Sequence, residues 1–198
     1  MGLTVFALGN PGRKYEGTLH NAGFEVAKRL AALLGGKPVR RCLRRYMAMR
    51  IVAGTASPEG ETATQLLVIQ PLTYMNKSGD IARFFDLTGS EAFVIFDNLD
   101  LPLGTIRIRR VHSLSTHKGL RSLQEALPGV QFTAIYVGIG RPPEGMSVPE
   151  YVLSRPDSPA SGLFERSLDD AARAVLKKAA GVPLEEIQLE FNRRNSET

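Results

Sequence analysis

Leu3-Thr4-Val5-Phe6-Ala7-Leu8-Gly9-Asn10-Pro11-Gly12 decides the fold of this chain. Leu3 to Leu8 is an apolar run of strand length bounded by turn formers, and it reads as a buried strand. Gly9, Pro11 and Gly12 cannot extend it, so the chain turns there. Tyr15, Thr18, His20 and Asn21 follow. Apolar residues then recur at helical spacing from Asn21 to Leu34, at Phe24, Ala27, Leu30, Ala31 and Leu34. Asn21 stands where an N-cap is expected, and Gly35-Gly36 ends the helix. A strand, a tight loop and a helix in succession open an α/β sheet. Loops at the carboxyl ends of such strands are where ligands bind. Asn10 offers a donor and an acceptor there, and His20 exchanges a proton near neutral pH.

The pattern continues outward. Met47 to Ala53 and Gln65 to Gln70 read as a strand pair joined by a polar loop from Gly54 to Thr64. Pro71-Leu72-Thr73-Tyr74-Met75-Asn76 leaves the second strand and enters a helix that buries Ile81, Phe84 and Phe85. Ala92 to Phe96 is a short apolar strand ending in Asp97-Asn98-Leu99-Asp100. Thr105 to Val111 alternates Ile106 and Ile108 with Arg107 and Arg109, a strand signature. A helix around Leu120 to Ala126, a strand from Phe132 to Ile139, and a long helix from about Gly162 to Ala180 complete the series. The long helix places Phe164, Leu168, Ala171, Val175 and Ala179 on one face. Strands interleaved with helices predict a single-domain, three-layer α/β sandwich over residues 1–198. Its sheet is expected to be twisted, mixed and mostly parallel, with helices on both faces.

Composition narrows the class. The chain has 198 residues and 43% hydrophobic residues, enough for one sizeable core. No apolar run reaches the ~18 residues of a membrane span. Met1-Gly2-Leu3 leads straight into the first strand without a basic n-region, so no secretory signal is expected and the cytoplasm is the expected compartment. A single cysteine, Cys42, excludes an internal disulfide framework. It stands among arginines, but no catalytic signature surrounds it. The net charge is +5 and is clustered. Lys37-Pro38-Val39-Arg40-Arg41-Cys42-Leu43-Arg44-Arg45 contains no acid, and Arg107, Arg109 and Arg110 form a second group. Two basic clusters on a small domain suit a nucleic-acid phosphate backbone; a solvated basic face is the plainer alternative.

Asn10, Asn76 and Asp97 each stand at or just past the end of an apolar strand. If those strands are parallel neighbours, the three converge on one rim with His20. A carboxylate beside a histidine fixes its tautomer, and a histidine so held is a general base for water. Asparagine amides hold that water or donate to a developing oxyanion. No serine or cysteine sits in a nucleophile elbow, so the implied chemistry is direct hydrolysis. The same residues also have structural uses. Asn10 tolerates a turn, Asn21 and Asn76 cap helices, and Asp97 and Asp100 form turns or bind magnesium. Spacing alone leaves both readings open. No dinucleotide or Walker phosphate loop is present.

Four segments together resemble the bacterial-type peptidyl-tRNA hydrolase family. They are Leu8-Gly9-Asn10-Pro11-Gly12 with Tyr15 and Thr18-Leu19-His20-Asn21-Ala22-Gly23-Phe24; Pro71-Leu72-Thr73-Tyr74-Met75-Asn76-Lys77-Ser78-Gly79; Asp97-Asn98-Leu99-Asp100-Leu101-Pro102-Leu103-Gly104; and Val137-Gly138-Ile139-Gly140-Arg141-Pro142. The resemblance implies a monomer, with no metal or cofactor, that cleaves the ester between a peptide and the 3′ ribose of its tRNA. The expected partner is peptidyl-tRNA, through its acceptor stem, 3′ CCA end and peptide. By the same resemblance His20 is the base, Asp97 its orienting carboxylate, and Asn10 a catalytic-site amide. Asn76 positions the peptide and terminal adenosine, Tyr15, Asn21 and Tyr74 lie along the substrate cleft, and Arg109 meets acceptor-stem phosphate.

The chain also departs from the family pattern. A glycine-rich loop followed by His-Asn-Gly is usual. Here Val111-His112-Ser113-Leu114-Ser115-Thr116-His117-Lys118-Gly119 has lost those loop glycines, and Lys118 replaces the asparagine. Lys118 is expected against phosphate or the terminal adenosine. The second basic position of the phosphate clamp is Tyr136, and Asn98 replaces a frequent glutamate. These departures leave a second expectation beside hydrolysis: a non-catalytic RNA-binding relative that kept the fold.

Overall fold

The opening apolar run forms β1 (Gly2–Ala7), and its burial on both sides explains why it lacks the polar alternation of a surface strand. The computed structural model describes residues 2–41, 43, 45–57, 60–87 and 91–193, with 51–57, 60–64 and 193 as backbone only. Cys42 and Arg44 of the first basic cluster lie outside the described residues. After β1 come α1 (Ala22–Leu34), β2 (Val39–Arg41), β3 (Tyr46–Ser57) and β4 (Gly60–Pro71). A 3-10 helix (Met75–Phe84), β5 (Glu91–Asn98), β6 (Ile106–Arg110), α2 (Lys118–Ala126) and β7 (Gln131–Gly138) follow. The chain closes with α3 (Val148–Val152), α4 (Ala160–Ala179) and α5 (Leu184–Arg193).

The sheet order is β2-β3-β4-β1-β5-β7-β6. The four central strands β4, β1, β5 and β7 run parallel. Antiparallel pairing enters at both margins, through β2, β3 and β6. Helices cover both faces, giving three layers. Val5 and Ala7 join a core with α1, α4 and α5, including Phe164, Leu168, Ala171, Val175 and Ala179. Phe6 and Leu8 join the opposite core, with Ile81 from the 3-10 helix and Leu120 and Leu123 from α2. Gly23 lets α1 sit directly on the end of β1, because a Cβ there would meet the backbone of Leu8 and Ile95.

Several elements differ from their sequence reading. The polar stretch 54–64 is not all loop: the β3–β4 ladder continues to Ser57 opposite Gly60. Backbone pairing carries that extension, so it leaves no apolar signature. The segment after Pro71 is a 3-10 helix rather than an α-helix, and Lys77 breaks its regularity at φ −121° and ψ 20°. Ile81 is buried, but Phe84 and Phe85 are only partly so, resting against Tyr46. The sequence reading also passes over three elements: β2 and α3 carry too few periodic apolar residues to be read, whereas α5 does carry the signal, with Leu184, Ile187 and Phe191 at i, i+3 and i+7 all buried. α3 does have a legible start: Ser147 and Glu150 form a capping box, with Pro149 in the first turn.

Candidate active site

β4, β1 and β5 are adjacent and parallel, so their carboxyl ends share one rim. The Leu8 N–H donates to the Ile95 carbonyl at 3.0 Å and carries the pairing past β1. Asn10 follows at once. Its N–H donates to Asn21 Oδ1 at 2.8 Å, and Asn21 Nδ2 donates back to the Asn10 carbonyl at 3.0 Å. Asn10 Oδ1 accepts from the Met75 N–H at 2.9 Å. Only the amide oxygen can accept that bond, so the Asn10 side chain is oriented and its Nδ2 is left to donate elsewhere.

Asn21 corrects one expectation. It precedes α1, yet its side chain makes no capping bond. It is 1% exposed, clamps the Asn10 backbone from behind, and does not line the cavity over the rim. The α1 helix does end as expected, on Gly35 in the left-handed region at φ 62°.

His20 lies in a 3-10 turn over Leu19–Asn21, held by the Leu19 N–H bonding to the Ser154 carbonyl at 3.0 Å. Its Nδ1 donates to Asp97 Oδ1 at 2.8 Å. Nδ1 therefore carries the proton, and Nε2 is the ring's lone-pair nitrogen. Asp97, near the end of β5, is 5% exposed. A second imidazole attends it. His117 Nε2 lies 3.6 Å from the same Asp97 oxygen, longer than a hydrogen bond but within ion-pair range. Burial alone would raise the Asp97 pKa. The His117 and His20 imidazoles outweigh it and hold the carboxyl well below the ordinary carboxylate range.

Spacing alone does not single out His117. It is the N-cap of α2, where its Nδ1 accepts from the Leu120 N–H at 3.4 Å. Its ring stacks on Phe96, with centroids 4.3 Å apart and planes at 27°. With Nδ1 accepting, Nε2 is the protonated nitrogen, and it faces Asp97. The available signal was a histidine opening a helix directly before Lys118-Gly119. Gly119 packs closely there: a Cβ would stand 2.7 Å from Met75 Sδ and 2.9 Å from Leu8 Cδ1, and those side chains would have to shift.

His20, Asp97 and His117 also form a geometric cluster whose ligand atoms lie within 4.8 Å of one another. Their proton pattern opposes a divalent metal. Coordination at His117 Nε2 would push the imidazole proton to Nδ1, against the Leu120 N–H.

A cavity of about 830 Å³ opens over the rim. Asn10, His20, Tyr74, Asn76, Asp97 and Lys118 line it, so six of the expected site residues come together, and His117 joins them as a seventh lining residue. Tyr15, Asn21 and Arg109 do not line it. Tyr15 is half-buried beneath the Lys14 ammonium, 4.7 Å from its ring centroid. Arg109 pairs opposite Ala134 in the β6–β7 ladder, and Arg107 opposite Tyr136. Opposed residues share a sheet face, so both arginines lie beyond Tyr136, which does line the cavity. Burial raises the Tyr136 pKa, and nearby Arg109 partly offsets it.

The segment 111–118 forms one wall. Ser113, Leu114, Ser115 and Thr116 all line the cavity, and Leu114 is 62% exposed at its lip. Gln124 of α2 fastens this loop with both ends of its amide. Its Oε1 accepts from the Ser115 N–H and its Nε2 donates to the Ser113 carbonyl, each at 2.9 Å.

Known proteins match this chain along nearly its whole length. The family profile described as peptidyl-tRNA hydrolase matches residues 4–198. The peptidyl-tRNA hydrolase of Bacillus subtilis (strain 168) is 34% identical over 194 residues, covering 96% of this chain and 98% of that protein. The peptidyl-tRNA hydrolase of Geobacillus kaustophilus (strain HTA426) is 37% identical over 193 residues, covering 93% and 96%. The crystal structure of peptidyl-tRNA hydrolase from Acinetobacter baumannii superposes with a TM-score of 0.80 at 26% identity, covering 96% of this chain and 94% of that one. On the full-length match of sequence and fold, the chain belongs to the peptidyl-tRNA hydrolase family.

Proposed function

We propose that the chain hydrolyses peptidyl-tRNA with His20 as general base and Asp97 as its orienting carboxylate. The observation that carries this reading is the 2.8 Å bond from His20 Nδ1 to Asp97, in a cavity shared with Asn10 and Asn76. It leaves His20 Nε2 to take a proton from water as the water oxygen attacks the ester carbonyl. The carbonyl becomes a tetrahedral oxyanion, and Asn10 Nδ2 is a donor oriented by the Met75 bond to stabilise it. Asp97 supports the imidazolium without taking its proton. When the carbon–oxygen bond to the ribose breaks, the imidazolium returns its proton to the ribose oxygen. The products are a peptide carboxylic acid and tRNA with a free 3′ end. Among the described residues no serine, threonine or cysteine hydrogen-bonds His20, which supports water as the nucleophile.

Asn76 and Tyr74 form the side of the cavity that takes the terminal adenosine and peptide, and the arginines beside Tyr136 take acceptor-stem phosphate. As the family resemblance implies, the protein works as a monomer. No helix among the described residues is long and apolar enough to cross a membrane.

Release of N-acetyl-aminoacid from N-acetyl-aminoacyl-tRNA tests this reading. Catalytic release, with one solvent oxygen entering the freed carboxylate, supports it. Tight tRNA binding without release establishes the RNA-binding alternative, and Lys118 with the glycine-poor loop would then be its cause.

A further inference from the structure

Lys118 is the one lysine or arginine among the residues lining the cavity. It is exposed, begins α2, and has no carboxylate partner among the described residues. Both acids of the cavity are already engaged. Asp97 is shared by His20 and His117, and Asp100 pairs with Arg141. The amino end of α2 adds its own partial positive charge, so the helix is not what favours a cation at this position. Lys118 and the start of α2 together make the wall of the cavity electropositive, in the same cavity as His20.

Two kinds of tRNA ester present the same bond to His20. They differ at the neighbouring α-nitrogen. In peptidyl-tRNA it is a neutral amide, whereas in aminoacyl-tRNA it is an amine that is protonated below about pH 7. We propose that Lys118 is a specificity-determining residue that rejects the α-ammonium of aminoacyl-tRNA while accepting the amide of peptidyl-tRNA. This rests on the ester-hydrolase reading above. The Lys118 ammonium donates to an amide carbonyl but repels a like charge. Like charges several ångströms apart at a protein surface separate the two substrates by at least about tenfold. The discrimination works against the wrong substrate as well as for the right one.

The test compares kcat/KM at about pH 6, where the α-amine of the ester is protonated, for three esters on one tRNA. N-acetylphenylalanyl-tRNA carries the amide, phenylalanyl-tRNA the amine, and phenyllactyl-tRNA a neutral hydroxyl. The ratio of the first to the second is expected to fall about tenfold in Lys118→Asn, further in Lys118→Glu, and to persist in Lys118→Arg. The ratio of the first to the third should not follow the charge at position 118. An amide-to-amine ratio constant within about twofold across all four proteins overturns the proposal. So does a hydroxyl ester that tracks the amine. Wild type that releases nothing from the N-acetyl ester instead overturns the hydrolase reading on which the proposal rests.

Discussion

Asp97 keeps its charge in a nearly closed setting because two imidazoles face it, one at 2.8 Å and one at 3.6 Å. Asparagine at this position keeps an oxygen for His20 Nδ1 but loses the charge that stabilises the imidazolium. Asp97→Asn is therefore expected to lower kcat by about 10²–10⁴ with little change in KM, measured under single-turnover and steady-state conditions. The carboxyl also links stability to pH. Its folded pKa is depressed, so its contribution is complete above the unfolded value near 4 and is lost as pH falls through the folded value. Urea midpoints should show the gap between wild type and Asp97→Asn shrinking from about pH 5 to pH 3; a growing gap contradicts this. Asn21 makes a separate point, since it never meets the cavity. Asn21→Ala strips the buried Asn10 backbone of both partners and should cost about 1–3 kcal/mol in denaturant unfolding. It should also lower activity, by releasing the loop that orients Asn10.

At the scale of elements, three parallel strands deliver Asn10, Asn76 and Asp97 to one rim, and α2 delivers His117. The loop 111–118 completes the wall and depends on Gln124 for its position. Gln124→Ala leaves the His20–Asp97 pair intact and frees the loop. KM is expected to rise by about threefold to tenfold while kcat stays within about threefold, because the loss falls on binding. An unchanged KM would show that the loop does not meet substrate. The rim was legible because its strands are fully apolar and each ends on a polar residue or glycine. Asn21 was misread because its capping position is real but its side chain turns to Asn10. His117 was missed because its importance comes from a non-local meeting with β5 that spacing in one segment does not encode. The 3-10 form of the helix after Pro71 and the extension of the hairpin have another reason: backbone geometry and pairing set them, and apolar spacing reports neither.

For the whole molecule, a net charge of +5 in 198 residues favours a polyanion, and Arg107 and Arg109 of β6 lie on the sheet face they share with Tyr136 of the cavity wall. Arg109→Ala should weaken tRNA binding and reduce the slope of log affinity against log salt by about one, measured by filter binding across salt concentrations. Affinity and slope both unchanged would place the phosphate contact elsewhere. The catalytic claim rests on one imidazole in a fold shared along the entire chain with peptidyl-tRNA hydrolases. Single-turnover release from N-acetyl-aminoacyl-tRNA by wild type and His20→Ala, with tRNA affinity measured in parallel, tests it most directly. The account predicts release at least about a hundredfold slower in the variant with affinity within about twofold. Release within about threefold of wild type would contradict it.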